Sequence, residues 1–184
     1  MFESLFHLSI VVPRIFMAYG PGQQDSTKLV PYTILSMLRG ESPKLSSGLR
    51  QVDWVYIDDV VEGISRAAFA PKMQESTFDL GSGSQVSVRS VVEMIAEIIG
   101  NGVQPNFGAV PDRAFDKDRI ADTTFMERTF HWKPTTALRK GLELTVDWYK
   151  RSRNVAACVA SVAFWMIADF LQDLEVLQEG WLTT

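Results

Sequence analysis

Cysteine is almost absent from these 184 residues. Cys158 stands alone, so no disulfide can form within the chain, and a reducing compartment such as the cytoplasm is the expectation. Histidine is nearly as scarce. His7 and His131 are far apart and share no ligand spacing with cysteine or carboxylates, so no metal site is expected. Positive charge is not in excess: 18 Lys and Arg face 22 Asp and Glu, a net charge of −4. That balance argues against a nucleic-acid surface, while a local group of Arg and Lys would still suit a small anion. Long apolar runs are also missing. The tail from Val155 to Leu171 carries only Asp169 as a charge, but its uncharged part, Val155 to Ala168, is shorter than the roughly 20 residues of a membrane span. Asp169 would be costly in lipid. A helix packed on the core or on a partner chain is expected there, not membrane association. Glu3 and His7 interrupt any apolar start and no basic region precedes it, so no secretory leader is expected.

What is present describes a globular domain. The apolar fraction is 46% and the charged fraction 22%, and the length suffices for one packed core. The run Ile10 to Phe16 feeds into Gly20-Pro21-Gly22 and reads as a buried strand ending abruptly. In open α/β sheets ligands sit outside the carboxyl ends of strands.

Residues 1 to 7 read as the end of a helix. From Thr27 a helix is expected, with Leu29, Ile34, Met37 and Leu38 on its apolar face, Pro31 in its first turn and Gly40 as its stop. Lys28 falls near its N-terminus, where the helix dipole does not favour a cation. It reads either as a solvated lysine or as a cation held over a ligand phosphate. A short strand is expected at Lys44 to Ser46 and another at Val52 to Ile57. Asp58 and Asp59 follow at the start of a helix; they read as an acid–base pair or, better suited to the junction, as an N-cap and a first-turn acid. Phe78 to Leu80 is a strand. Gly81-Ser82-Gly83 lacks the third glycine of a dinucleotide turn. Ser87 is expected to cap a helix running to Ile99 and ended by Gly100, its stripe Val88, Val91, Val92, Ile95, Ile98 and Ile99 facing the core. A strand is expected at Val103 to Phe107, a short helix capped by Asp122, and a last helix with Leu138, Leu142, Thr145, Val146 and Tyr149 on one face.

Four blocks, in order, resemble one family. Arg14 to Pro21 is similar to the Arg-x-Phe-Asn-x-Tyr-Gly-Pro block of the extended short-chain dehydrogenase/reductases, the nucleotide-sugar epimerases and dehydratases. Val52 to Val61 resembles its Arg-Asp-(Phe/Trp)-x-x-Val-x-Asp block, and Phe78 to Gly83 its Asn-(Ile/Leu)-Gly-x-Gly block. Trp132-Lys133-Pro134, Gly141-Leu142 and Trp148-Tyr149 resemble its ending. Together they span roughly residues 8 to 150.

The resemblance implies an α/β fold: the C-terminal part of a Rossmann-type enzyme with its substrate-binding subdomain over residues 1–152, followed by an apolar tail at 153–184. The family's Gly-x-x-Gly-x-x-Gly turn and catalytic Tyr-x-x-x-Lys pair are not found. No glycine precedes Gly20, and neither Tyr19 nor Tyr56 has a lysine four residues on. The resemblance therefore implies no catalytic residue in this sequence. It implies NAD or NADP in the complete enzyme, with Ile15 near the nicotinamide, and a nucleoside diphosphate sugar bound by Met17, Lys28, Leu29, Arg50 and Arg113. A homodimer is compatible with it. Arg113 to Asp116 matches the family's Arg-x-x-Asp, whose arginine contacts the diphosphate; by itself the pair also reads as a surface ion pair of little energy. The sequence departs from the pattern at Met17, which replaces an asparagine that hydrogen-bonds substrate, at Val52, which replaces an arginine, and at Asp79, which replaces an asparagine. Arg50 lies two residues before Val52, on the same face of a strand that starts early enough. The competing readings are a truncated or interaction module, and a membrane-anchored form resting on the tail alone.

Overall fold

The computed structural model describes residues 10–69, 77–114 and 118–152. The chain divides into two compact units, residues 1–147 and 148–184. The fold is α/β, with three small groups of paired strands. Strand β1 (Val12–Ile15) runs parallel to β5 (Thr77–Leu80), and β2 (Met17–Tyr19) runs parallel to β4 (Gln51–Tyr56). Strand β4 also takes β6 (Gln85–Ser87) on its other edge, antiparallel. Strand β3 (Lys44–Leu45) pairs in parallel with β7 (Asn106–Phe107). The helices are α1 (Leu29–Leu38), α2 (Ile57–Ala68), α3 (Val88–Ile99), α4 (Thr124–Phe130) and α5 (138–152).

The opening run is not one buried strand. After Ile15 the chain changes partner: Phe16 N–H donates to Leu80 O at 2.9 Å, and Ala18 N–H donates to Phe16 O at 2.8 Å, a three-residue turn that moves the strand from β5 to β4. Strand β1 is open to solvent, with Val12 54% and Ile15 47% exposed. An apolar run reports affinity for a core, and here the described residues cover only part of it.

The core lies where α2 meets the strands. Val55, Val60, Ala67, Phe78, Leu80, Met126 and Trp132 form one buried cluster. A Val, Leu, Phe or Met side chain contributes about 1.5–3 kcal/mol when fully buried. Gly63 permits the contact, because a Cβ there would lie 2.7 Å from Leu80 Cδ2. Helix α3 begins and ends as its sequence requires: Ser87 Oγ accepts from Ser90 N–H, and Gly100 takes the left-handed conformation at φ 68°. Val91, Val92 and Ile95 on α3, and Ile34 and Met37 on α1, are fully buried. Asn101 Nδ2 donates to Met37 O at 2.7 Å and ties the ends of these two helices. On α5, Leu142, Thr145 and Val146 are buried as the spacing predicts.

Three local expectations shift. Strand β7 is confined to Asn106–Phe107, not Val103 to Phe107; an apolar run becomes a strand only where a partner edge reaches it, and β3 offers two residues. Neither Asp58 nor Asp59 caps α2, whose N-cap is Tyr56; both acids stand in its first turn. Asp59 is buried and serves another segment, accepting from Thr135 N–H (2.9 Å), Thr135 Oγ1 (3.1 Å) and Thr136 N–H (3.2 Å). The N-cap position of α4 is Thr123, while Asp122 Oδ1 accepts from Thr124 N–H at 3.0 Å. The helix end at residues 1–7, Asp116 and the 153–184 tail lie outside the described residues. No helix among the described residues is long and apolar enough to cross a membrane.

Candidate functional site

Strand β4 has a period of two, and it continues into the residue before it. Arg50, Val52 and Trp54 all line one cleft of about 1270 Å³. Met17, in register with Trp54 on the neighbouring strand, lines it too. Lys28 and Leu29 enter from the start of α1, and Arg113 from the segment after β7. The five residues expected to hold a nucleotide sugar therefore meet in one place. Ile15 does not join them; it stands at the carboxyl end of β1, 47% exposed. Arg39 and Lys44 also line the cleft, and nothing in the sequence pattern singled them out.

Local physics sets the cleft's rim. Before α1, Asp25 Oδ1 accepts from both Thr27 N–H (3.0 Å) and Thr27 Oγ1 (2.5 Å), a tight turn that holds the Asp25 carboxyl below the usual carboxylate range. Lys28 is left at the N-cap with its Nζ 3.7 Å from Asp25 Oδ2, an exposed pair of little energy. No side chain caps α1 and no acid stands in its first turn. Lys28, Leu29 and Val30 at its start line the cleft, which puts the positive end of the helix dipole beside a lysine there.

The loop before β4 is docked on the start of α3. Arg89 N–H donates to Gly48 O (2.8 Å), Val88 N–H to Arg50 O (3.0 Å), and the Arg89 guanidinium to Ser47 O (2.9 Å). Gly48 is required there: its φ is 73°, and a Cβ would come 3.0 Å from Arg89 Cβ. The Arg89 guanidinium also stacks 3.9 Å over the Phe107 ring. Asp112 Oδ1 accepts from Ser47 Oγ and N–H, which lowers the Asp112 carboxyl pKa.

The opposite face of β4 is closed. Asp53, 1% exposed, accepts from Ser82 N–H (2.6 Å), Ser82 Oγ (2.7 Å), Gly83 N–H (3.0 Å) and Ala121 N–H (2.9 Å). The Ser82 and Gly83 N–H groups of this turn are therefore held by a carboxylate of the same chain. Asp79, where the family pattern has asparagine, pairs with Arg14 Nε and accepts from Asp122 N–H at 3.1 Å. Tyr19 is buried against Trp54 and Tyr56, its hydroxyl donating to Leu138 O at 3.1 Å. Burial, and then the nearby Asp59 and Tyr56, push its pKa up, so this hydroxyl stays protonated and is no base. The structural duties of Asp53 and Tyr19 had no signal in the sequence, because their partners lie far along the chain.

Residues 2–81 match the NAD dependent epimerase/dehydratase family. The UDP-glucose 4-epimerase of Mycolicibacterium smegmatis is 29% identical over 154 residues, covering 82% of this chain and 48% of that protein. The dTDP-glucose 4,6-dehydratase of Xanthomonas campestris pv. campestris is 27% identical over 158 residues, 80% of this chain and 44% of that one. Among solved structures, the UDP-glucose 4-epimerase of Thermotoga maritima with UDP-glucose superposes with a TM-score of 0.73 at 30% identity, over 82% of this chain and 49% of that one. The Bacillus cereus UDP-glucuronic acid 4-epimerase, solved with UDP-glucuronic acid and NAD, gives 0.69 at 27% identity, over 82% and 48%. The chain spans about half the length of the curated relatives it matches.

Proposed function

We propose, taking the family match of residues 2–81 as premise, that this chain forms the nucleotide-sugar half of an NAD(P)-dependent sugar epimerase or dehydratase. The supporting observation is the convergence of Lys28, Arg50 and Arg113, from three separate segments, on one cleft at the N-terminus of α1. An anion entering the cleft gains Coulomb energy from the cations gathered there. A diphosphate supplies that anion: the arginines offer planar forks to its oxygens, the lysine a point charge, and the helix start its N–H groups. Met17 and Leu29 then line the sugar end.

The fit to NAD(P) is partial. Ile15 is open to solvent at the carboxyl end of a parallel strand, where α/β sheets take ligands, and suits one wall of a nicotinamide site. The Gly81–Gly83 turn does not suit a pyrophosphate, since the Asp53 carboxylate already holds the Ser82 and Gly83 N–H groups. When bound, NAD(P) supplies hydride transfer with a sugar carbon. This chain's residues bind the diphosphate and orient the sugar. The glycine-rich turn and the Tyr-x-x-x-Lys pair used by that chemistry are not among these residues. Alone, the chain binds nucleotide without turnover and does not take NAD(H) at micromolar affinity.

Isothermal titration with UDP and dTDP tests the reading. Arg113→Ala should weaken binding by about 1.5–3 kcal/mol, the range for a hydrogen bond to a charged group. The melting temperature should hold, because an exposed cation contributes little to stability. Nucleotide binding untouched by Arg113→Ala would overturn the assignment.

A further inference from the structure

We infer that Arg89, which lies outside the cleft, is a positioning residue for two arginines inside it, Arg50 and Arg113; taking those two as the partners of a ligand rests on the nucleotide-sugar reading above. The link runs through Ser47. The Arg89 guanidinium donates from Nη2 to Ser47 O at 2.9 Å. On the other side of the same residue, Ser47 N–H and Oγ donate to Asp112 Oδ1 at 3.1 and 3.0 Å. Asp112 is the residue before Arg113, and Ser47 belongs to the loop that leads to Arg50. One side chain therefore holds the junction between two cation-bearing segments, whose joined residues Ser47 and Asp112 are 65 positions apart in sequence.

The guanidinium is itself fixed by its face and by its edge. Its face lies 3.9 Å over the ring of Phe107, in the strand that pairs with β3, and β3 leads into the Ser47 loop. Its edge meets Ser47 O and, more loosely, Glu93 Oε1 at 3.8 Å. An arginine stacks and donates at once because its donors lie in the plane of the group. A lysine ammonium is a point charge without a plane, so it cannot reproduce both contacts. Arg89 N–H also holds Gly48 O, but that bond belongs to the backbone and survives a change of side chain. Arg89→Lys keeps the charge and alters the geometry alone.

The test joins a ligand-free measurement to a binding one, both on this chain. In an NMR titration, Arg89→Lys should move the Asp112 carboxyl up toward its ordinary value, because a displaced Ser47 no longer offers both donors. In isothermal titration with UDP, Arg89→Lys should weaken binding about tenfold, near the loss of one hydrogen bond to a charged group. Arg113→Ala should cost less in the Arg89→Lys background than in the wild type. Phe107→Leu, which removes the platform and keeps the arginine, should move both readouts in the same directions. A merely structural arginine would lower the melting temperature and leave the Asp112 titration and the coupling to Arg113 unmoved, and that result overturns the inference. So does UDP binding undiminished by Arg89→Lys when the wild type binds in an Arg113-dependent way. If the wild type does not bind UDP, or binds it without dependence on Arg113, the nucleotide reading falls. An Asp112 titration that still moves in Arg89→Lys then upholds the link from Arg89 to the Arg113 segment, and one that does not move overturns that link too.

Discussion

The two faces of strand β4 handle charge in opposite ways. On one, a single carboxylate, Asp53, is buried and meets four donors between 2.6 and 3.0 Å. On the other, Lys28, Arg39, Lys44, Arg50 and Arg113 line a cleft; Lys28 is 63% exposed at the side chain and its partner Asp25 50%, 3.7 Å away. A buried charge is tolerable only when its lone pairs are filled, and once filled it has nothing left for a ligand. A partly solvated cation exchanges water for phosphate oxygens at small cost. What separates the two faces is burial: Asp53 is sealed with its four donors, while the cleft's cations stand where water reaches them.

The sharpest way to break that contrast is to remove the buried charge. Asp53→Ala strands the N–H groups of Ser82, Gly83 and Ala121 and should lower stability by about 3–5 kcal/mol in urea unfolding, several donors each costing about 1–3. A loss under about 1 kcal/mol would mean that water enters and the closed face is not closed. By contrast, the Arg113→Ala change should leave the fold intact and affect ligand alone.

A smaller effect belongs to Tyr19, on the face that adjoins the cleft. Its pKa is raised in the folded state, so between the ordinary tyrosine value near 10 and the folded value the unfolded chain has lost a proton that the folded chain keeps. Stability should therefore fall as pH climbs above about 10, by roughly 1.4 kcal/mol per pH unit for this group. Tyr19→Phe should flatten that limb, and alkaline unfolding curves of the two proteins decide it. The smallest effect belongs to the rim. Asp112 is held below its ordinary pKa chiefly by Ser47 Oγ, then by Ser47 N–H. Ser47→Ala should move the Asp112 carboxyl back toward the ordinary value in an NMR titration. The contribution of this pair is present above the ordinary carboxylate value and fades as pH falls through the lowered one.

Local grammar was legible in the sequence. Ser87 and Gly100 bound α3 because a cap and a left-handed stop act within a few residues. Partnering across the chain was not. Asp59 stands in the first turn of α2 as the sequence suggests, but nothing local shows that Thr135 and Thr136, far along the chain, claim its oxygens. Val12 and Ile15 looked buried because their apolarity is visible and their covering is not. The cleft was legible in part through family resemblance. Periodicity alone could offer only the shared face of Arg50 and Val52, whereas Lys28 and Arg113 meet them through the fold.

The seat of the Gly48–Arg50 loop on α3 has a consequence for the entropy of recognition. Val88 N–H fastens the Arg50 carbonyl, and Arg89 N–H the Gly48 carbonyl, before any ligand arrives. A loop that must be ordered on binding gives back about 1–2 kcal/mol for every backbone residue it fixes. Here folding has already set that backbone, so under the nucleotide-sugar proposal that ordering cost does not fall on binding.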